Sequence, residues 1–300
     1  MTGALGERTV HVDSDTDRPR ENPMTDTTIT ATDADRALKA RHRTMWGLGD
    51  YPDVADRLIA ELGPRLVTAA GIRPGERVLD IAAGTGNVAV PAALAGADVV
   101  ASDLTPELFV AGREFAARQG VALRWEEGDA EALPYEDDSF DVATSCVGIM
   151  FAPHHQTSAD ELVRVVRPGG RIALISWTPE GFVGDLFKTM KPYAPPPPPG
   201  AQPPPLWGDD EHVRALLGDR VADVETTRQT VRVSAFGSPE AFRTYWKVTY
   251  GPTIVAYRNV ADDAERTAAL DADIAGVAQR HDRGDGSMDW EYLLLTARVV

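Results

Sequence analysis

The run Val78-Leu79-Asp80-Ile81-Ala82-Ala83-Gly84-Thr85-Gly86-Asn87 constrains this chain more than any other stretch. A short apolar segment, broken only by an acid near its end, runs into two glycines, and a second apolar segment follows at residues 88–94. An apolar run of this length bounded by turn residues reads as a buried strand, and the segment behind it as a helix. Glycine lets the backbone turn tightly and approach a ligand with no Cβ in the way. The N-terminus of the following helix offers free N–H groups and positive potential. Such a turn can cradle a pyrophosphate or the carboxylate of an amino acid. Gly84-Thr85-Gly86-Asn87-Val88-Ala89 also satisfies the dinucleotide pattern G-x-G-x-x-G/A, so the turn alone leaves two chemistries open.

The rest of the chain alternates in the same way. Strands are predicted at residues 77–81, 98–101, 122–126, 140–145, 171–177, 221–233 and 288–300, with helices at 88–94, 106–118, 158–166, 209–217, 239–257 (one helix or a pair) and 261–280. Residues 167–170, Arg-Pro-Gly-Gly, read as a turn. The fold class is α/β: a Rossmann-like, mostly parallel seven-stranded sheet with helices on both faces. An N-terminal helical lid precedes it, with a helix at 33–43 and helical spacing from Val54 to Val67 broken at Gly63-Pro64. Residues 1–33 are polar, lack apolar periodicity and are predicted to be disordered. Residues 34–300 form a single domain: N-terminal helices at 34–71, a core at 73–177, a Pro-rich loop at 178–208, and a C-terminal part at 209–300 with a helical cap at about 238–283. Five consecutive prolines at 195–199 read as a stiff surface loop; a ligand for an SH3-like partner is the alternative.

The formal net charge of -16 disfavours nucleic acid as a partner. With Cys146 the single cysteine, neither an internal disulfide nor a Cys-rich zinc site can form, and no metal is expected. The chain has no apolar signal-peptide core and no apolar run of the ~18 residues that span a bilayer. A cytoplasmic protein without membrane association is expected, with a homodimer left open.

Three acids bear on the choice of ligand. Asp80 stands four residues before Gly84, where it would repel a pyrophosphate and attract a sulfonium ligand bearing an α-ammonium group. Asp103 follows the second strand, seventeen positions after Gly86, where an acid can accept from ribose hydroxyls in either kind of nucleotide site. Asp129 ends the third strand, where a carboxylate can accept the exocyclic amine of adenine beside the Ala130 amide; a dinucleotide site needs no acid there. Taken singly, these residues read as a structural turn, helix caps or surface acids. Their order and spacing point to one site.

Together V-L-D-x-x-x-G-T-G-N, G-D-A-E-x-L-P-x-x-D-x-S-F-D and R-V-V-R-P-G-G-R resemble the class I S-adenosylmethionine-dependent methyltransferases, closest to the ubiquinone/menaquinone-biosynthesis-like branch. The resemblance covers residues 73–177. It implies that Asp80, Ala82, Ala83, Gly84 and Gly86 hold the methionine part of S-adenosyl-L-methionine. It implies ribose binding by Asp103, adenine contacts from Leu104, Asp129 and Ala130, and Cys146 near the methionine end. Ala82 stands where glycine is commoner and is tolerable if its φ stays negative. Trp46 and Tyr51 are expected to form a lid over the cofactor. The implied reaction is in-line methyl transfer to an oxygen, nitrogen or carbon of a small-molecule acceptor. An NAD(P)-dependent oxidoreductase and a non-catalytic S-adenosylmethionine-binding protein are the alternatives. His154, in the loop after the fourth strand, is the leading candidate base, ahead of His155. Met150, Phe151 and Trp177 are expected to line the acceptor pocket, and Phe242, Trp246, Tyr250 and Tyr257 to roof it, with ordinary core packing the competing role. This aromatic content suggests an apolar or aromatic acceptor.

Overall fold

The computed structural model describes residues 27–300, with side chains from Asp35 onward. The chain divides after Ala37. The described part of the first unit is the start of helix α1 (Thr27–Trp46), and all packing below lies within Leu38–Val300. Then follow α2 (Tyr51–Leu58), α3 (Leu62–Ala70), β1 (Arg77–Ile81), α4 (Ala89–Leu94), β2 (Asp98–Asp103), α5 (Phe109–Gln119), β3 (Arg124–Glu127), β4 (Phe140–Cys146), α6 (His155–Arg164) and β5 (Val166–Trp177). The C-terminal part holds α7 (Phe182–Met190), α8 (Asp210–Leu217), β6 (Val221–Val233), α9 (Pro239–Thr249), α10 (Gly251–Asn259), α11 (Ala264–His281) and β7 (Met288–Val299).

Among the described residues the strands form one seven-stranded sheet in the order β3-β2-β1-β4-β5-β7-β6. The pairings of β7 with β5 and with β6 are antiparallel, and the others are parallel. The central strands are apolar because helices cover both faces. Val78, Leu79, Val142, Ala143, Ile172, Ala173 and Ile175 are fully buried. Each such Val, Leu or Ile contributes about 1.5–3 kcal/mol of burial. From β1 the chain runs out to β2 and β3 on one side and returns to β4 on the other. The carboxyl ends of β1 and β4 therefore flank a topological switch point, where open α/β sheets bind ligands.

Several local expectations are corrected. Helix α1 begins at Thr27 rather than 33, because an established helix propagates at one hydrogen bond per added residue; the rest of the segment expected to be disordered lies outside the described residues. The lid breaks between Leu58 and Leu62, not at Gly63-Pro64. Pro64 occupies the first turn of α3, where a missing N–H costs nothing. The supposed turn at 167–170 lies inside β5 as a bulge: pairing jumps from Phe140–Val166 to Val142–Arg171, and Gly169 takes φ +76°. The Pro-rich segment contains α7, whose Phe182, Val183, Leu186 and Met190 are buried. The aromatic residues of α9 pack as core. Phe182 stacks on Trp290 at 5.0 Å, Phe242 on Trp246 at 5.3 Å and Trp246 on Tyr250 at 4.3 Å, and Tyr250 meets Trp46 at 5.6 Å. This ladder ties β7 and the C-terminal helices to α1. No helix among the described residues is long and apolar enough to cross a membrane.

Candidate cofactor and acceptor cleft

The glycine turn is built by unusual backbone at three positions: Ala82 at φ +53°, Gly84 at +55° and Gly86 at +80°. The expectation of a negative φ at Ala82 is thus overturned. The chain must reverse direction directly after β1, and a left-handed Ala costs about 1–2 kcal/mol. A second such residue, Val147 at φ +49°, follows β4. Gly148 behind it presses on Ala82: a Cβ at Gly148 would lie 2.4 Å from the Ala82 carbonyl oxygen. The two strained corners sit at the ends of neighbouring strands and line the same cleft.

Two buried carboxylates fasten the turn. Asp80 Oδ2 accepts the Ala89 N–H at 3.0 Å, holding the first turn of α4, and Oδ1 accepts the Thr144 hydroxyl at 3.0 Å. Asp103 accepts the N–H groups of Gly84 and Thr105, both at 2.7 Å. Burial pushes both acids up, Asp80 to about 7 and Asp103 to about 6, against the pull of these hydrogen bonds. Each carboxylate keeps lone pairs for a ligand. Gly86 sits against Trp125, whose Cη2 would lie 2.6 Å from a Cβ there.

The main cleft is open to solvent, with about 670 Å³ of non-atom space in it when that solvent is counted. Of the residues singled out from the sequence, Trp46, Tyr51, Ala82, Gly84, Asp103, Leu104, Asp129 and Ala130 line it. Tyr51 and Ala82 also line a smaller cavity of about 290 Å³, together with Asp80, Ala83 and Cys146. Burial raises the Tyr51 phenol and the Cys146 thiol, so both stay protonated at neutral pH. Phe151 lines the main cleft, at 4.6 Å from Trp46. Met150 and Trp177 do not: both are buried in the core. Phe242, Trp246, Tyr250 and Tyr257 line neither cavity.

The two histidines after β4 point elsewhere. His154 is not a cleft-lining residue: its N–H and its Nδ1 lie 2.6 and 3.1 Å from the Glu131 carboxylate. His155 is fully buried, with Nδ1 3.0 Å from His212 Nε2, and burial lowers its pKa to about 4. Sequence reasoning missed Lys39 and His42, which reach the cleft from α1. The signal was present, since Lys39, His42 and Trp46 stand at i, i+3 and i+7, one helical face. Burial, then the Lys39 charge, lowers the His42 pKa.

The comparisons with known proteins agree with this geometry. The family described as "Methyltransferase domain" matches residues 79–174, the glycine turn through β5. The uncharacterized protein Rv1403c of Mycobacterium tuberculosis is 50% identical over 91% of this chain and 99% of its own length. The ubiquinone/menaquinone biosynthesis C-methyltransferase UbiE of Ectopseudomonas mendocina is 35% identical, over 38% of this chain and 47% of its own. The solved structure of YcgJ from Bacillus shares the fold, with TM-score 0.51 and 20% identity over 80% of this chain and 98% of that one. The chain belongs to the class I S-adenosylmethionine-dependent methyltransferases, in one family with the mycobacterial protein. Its activity is methyl transfer from S-adenosylmethionine, which decides between the two chemistries that the glycine turn left open.

Proposed function

We propose that the methyl acceptor is a small apolar or aromatic molecule, held between the loop after β4 and the aromatic face of the lid. One observation carries this reading: the cleft is divided in character. Its charged groups, Lys39, Asp103 and Asp129, come from α1 and from the ends of β2 and β3. On the β4 side the walls are Val147, Gly148, Phe151, Ala152 and Pro153, facing Trp46 and Tyr51, with no charged side chain among them.

The residues present fit the methyl donor. Asp103 would take the ribose hydroxyls. Leu104 and Ala130 would flank the adenine, and Asp129 would accept its amine. The turn at Ala82–Gly86, with Asp80 and Cys146 behind it, would hold the methionine part. The two cavities share Tyr51 and Ala82, so a ligand in the main cleft can reach Asp80 and Cys146 through this shared wall. Bound there, S-adenosylmethionine supplies a methyl group made electrophilic by its sulfonium. The chain's work is to exclude water and align the acceptor behind that methyl. Trp46, Tyr51 and Phe151 supply the dry wall. His154 supports the Pro153 side of the wall through Glu131 in this reading, and alignment supplies the rate.

The test is a set of acceptors matched in size, incubated with the protein and methyl-labelled S-adenosylmethionine: a phenol or quinol, an aliphatic amine and a phosphate-bearing alcohol. Label is expected in the phenol or quinol, and Phe151→Ala should raise its KM without changing cofactor affinity. Label confined to the charged acceptors would overturn the reading.

A further inference from the structure

Helix α1 places one ammonium group against the acid side of the cleft. Lys39 Nζ lies 3.0 Å from Asp129 Oδ1 and 2.5 Å from Glu131 Oε2. The pair is well shielded, with side chains 11% and 7% exposed for Lys39 and Glu131. The hydrogen bonds of the Asp129 side chain fall on one atom: Oδ1 accepts both Lys39 and the N–H of Glu131, at 2.9 Å. Oδ2 takes no hydrogen bond from a described residue, and Asp129 lines the cleft.

The two carboxylates are not equally supported. Glu131 also holds the N–H and Nδ1 of His154. Asp129 has Lys39 as its side-chain partner and otherwise only a local backbone contact. Two partly desolvated carboxylates two residues apart repel each other, and the cation between them removes that repulsion. Without Lys39, Asp129 is the member of the pair that can swing outward to water, since Glu131 stays tied to His154.

Resting on the reading of Asp129 given above, we propose that Lys39 is a positioning residue for adenine recognition. It clamps Asp129 through Oδ1 so that Oδ2 faces the exocyclic amine, and it thereby makes the site select a 6-amino over a 6-oxo purine nucleoside. An oxo group has no proton to donate and would set its own lone pairs against Oδ2.

The experiment is calorimetric titration of the full chain with two probes, S-adenosylhomocysteine and S-inosylhomocysteine, which differ at the purine 6-position. The readout is the ratio of their dissociation constants on one preparation, which does not depend on the folded fraction. The wild-type protein should prefer the adenosyl compound by about ten- to a hundredfold, the scale of a hydrogen bond to a charged group. Lys39→Met should reduce the ratio to about threefold or less, and Lys39→Arg should keep most of it. Glu131→Gln, which leaves the Lys39–Asp129 contact in place, should keep it too. If Lys39→Met weakens both probes equally and the ratio survives, Lys39 only fastens the helix and the proposal is overturned. If the wild-type protein shows no preference, the adenine role of Asp129 is what fails. Should Lys39→Met not fold, Lys39→Gln is read by the same ratio, with the same two outcomes.

Discussion

Gly112, in the middle of α5, tests whether the ring of Trp125 sets the shape of the cofactor turn. On local grounds Gly112→Ala should help: glycine inside a helix costs about 1 kcal/mol relative to alanine. The tertiary setting reverses the sign. A Cβ at Gly112 would lie 2.3 Å from Trp125 Cη2 and 2.5 Å from Cζ3, with the Thr85 carbonyl oxygen at 3.2 Å. The indole is rigid and partly buried, and its neighbours limit its retreat. Phe109 packs on it at 5.4 Å, and the Gly86 backbone meets the same ring edge. Overpacking of this kind costs about 1–3 kcal/mol. An approach of 2.3 Å favours the upper end of that range, which outweighs the helix gain. We expect Gly112→Ala to lose about 1–2 kcal/mol in urea unfolding and to weaken S-adenosylhomocysteine, because the displaced ring pushes on Gly86. Trp125→Leu is destabilising alone, but combined with Gly112→Ala it should cost less than the sum. A Gly112→Ala protein as stable as wild type, with additive behaviour in the double variant, would refute the wedge.

Ala82→Gly should stabilise the protein by about 0.5–1 kcal/mol, as relief of a left-handed alanine exceeds the added freedom of the unfolded chain; thermal unfolding checks it, and a loss of stability would contradict the strain. Asp80 is raised to about 7 by burial, so the folded state holds a proton that the unfolded state has released above pH 4. The destabilisation from Asp80 therefore grows as pH rises from about 4 to about 7. Relative to wild type, Asp80→Asn should gain stability between pH 5 and pH 8, by on the order of 2 kcal/mol; a difference independent of pH would argue against a protonated Asp80. His154→Ala should lower turnover less than tenfold, whereas loss of a general base costs about 10²–10⁴; a drop of that size with cofactor affinity intact would restore His154 to the proton transfer.

Much of this protein is legible in its sequence because the relevant signals are local. Val78, Leu79 and Ile81 are apolar on both faces of β1 since helices cover both, and this marks a parallel sheet before any contact is known. Asp103 ends β2 and Asp129 follows β3 by two residues, and strands in a parallel sheet deliver their carboxyl ends to one edge. Sequence position alone therefore brings these acids to one cleft. The glycines of the turn, at φ +55° and +80°, are where the backbone demands them.

What the sequence could not settle depends on packing between distant segments. Ala82 takes φ +53° where the chain reverses after β1, and Gly148, sixty-six residues later, packs against its carbonyl; no local rule forces an alanine there. A helical spacing put Lys39, His42 and Trp46 on one face, but only the tertiary structure turns that face toward Asp129 and Glu131. Met150, Phe151 and His154 lie within five residues of one another, yet they separate into core, cleft wall and a contact with Glu131. In so short a loop each side chain's direction is set by the neighbours it meets rather than by its type. The sheet, the glycine turn and the acids at or just past the strand ends follow from local signals, since periodicity and backbone chemistry act over a few residues. Which side chains enclose the cleft was decided by contacts across about ninety residues, as between Lys39 and Asp129, and only the folded chain brings those together.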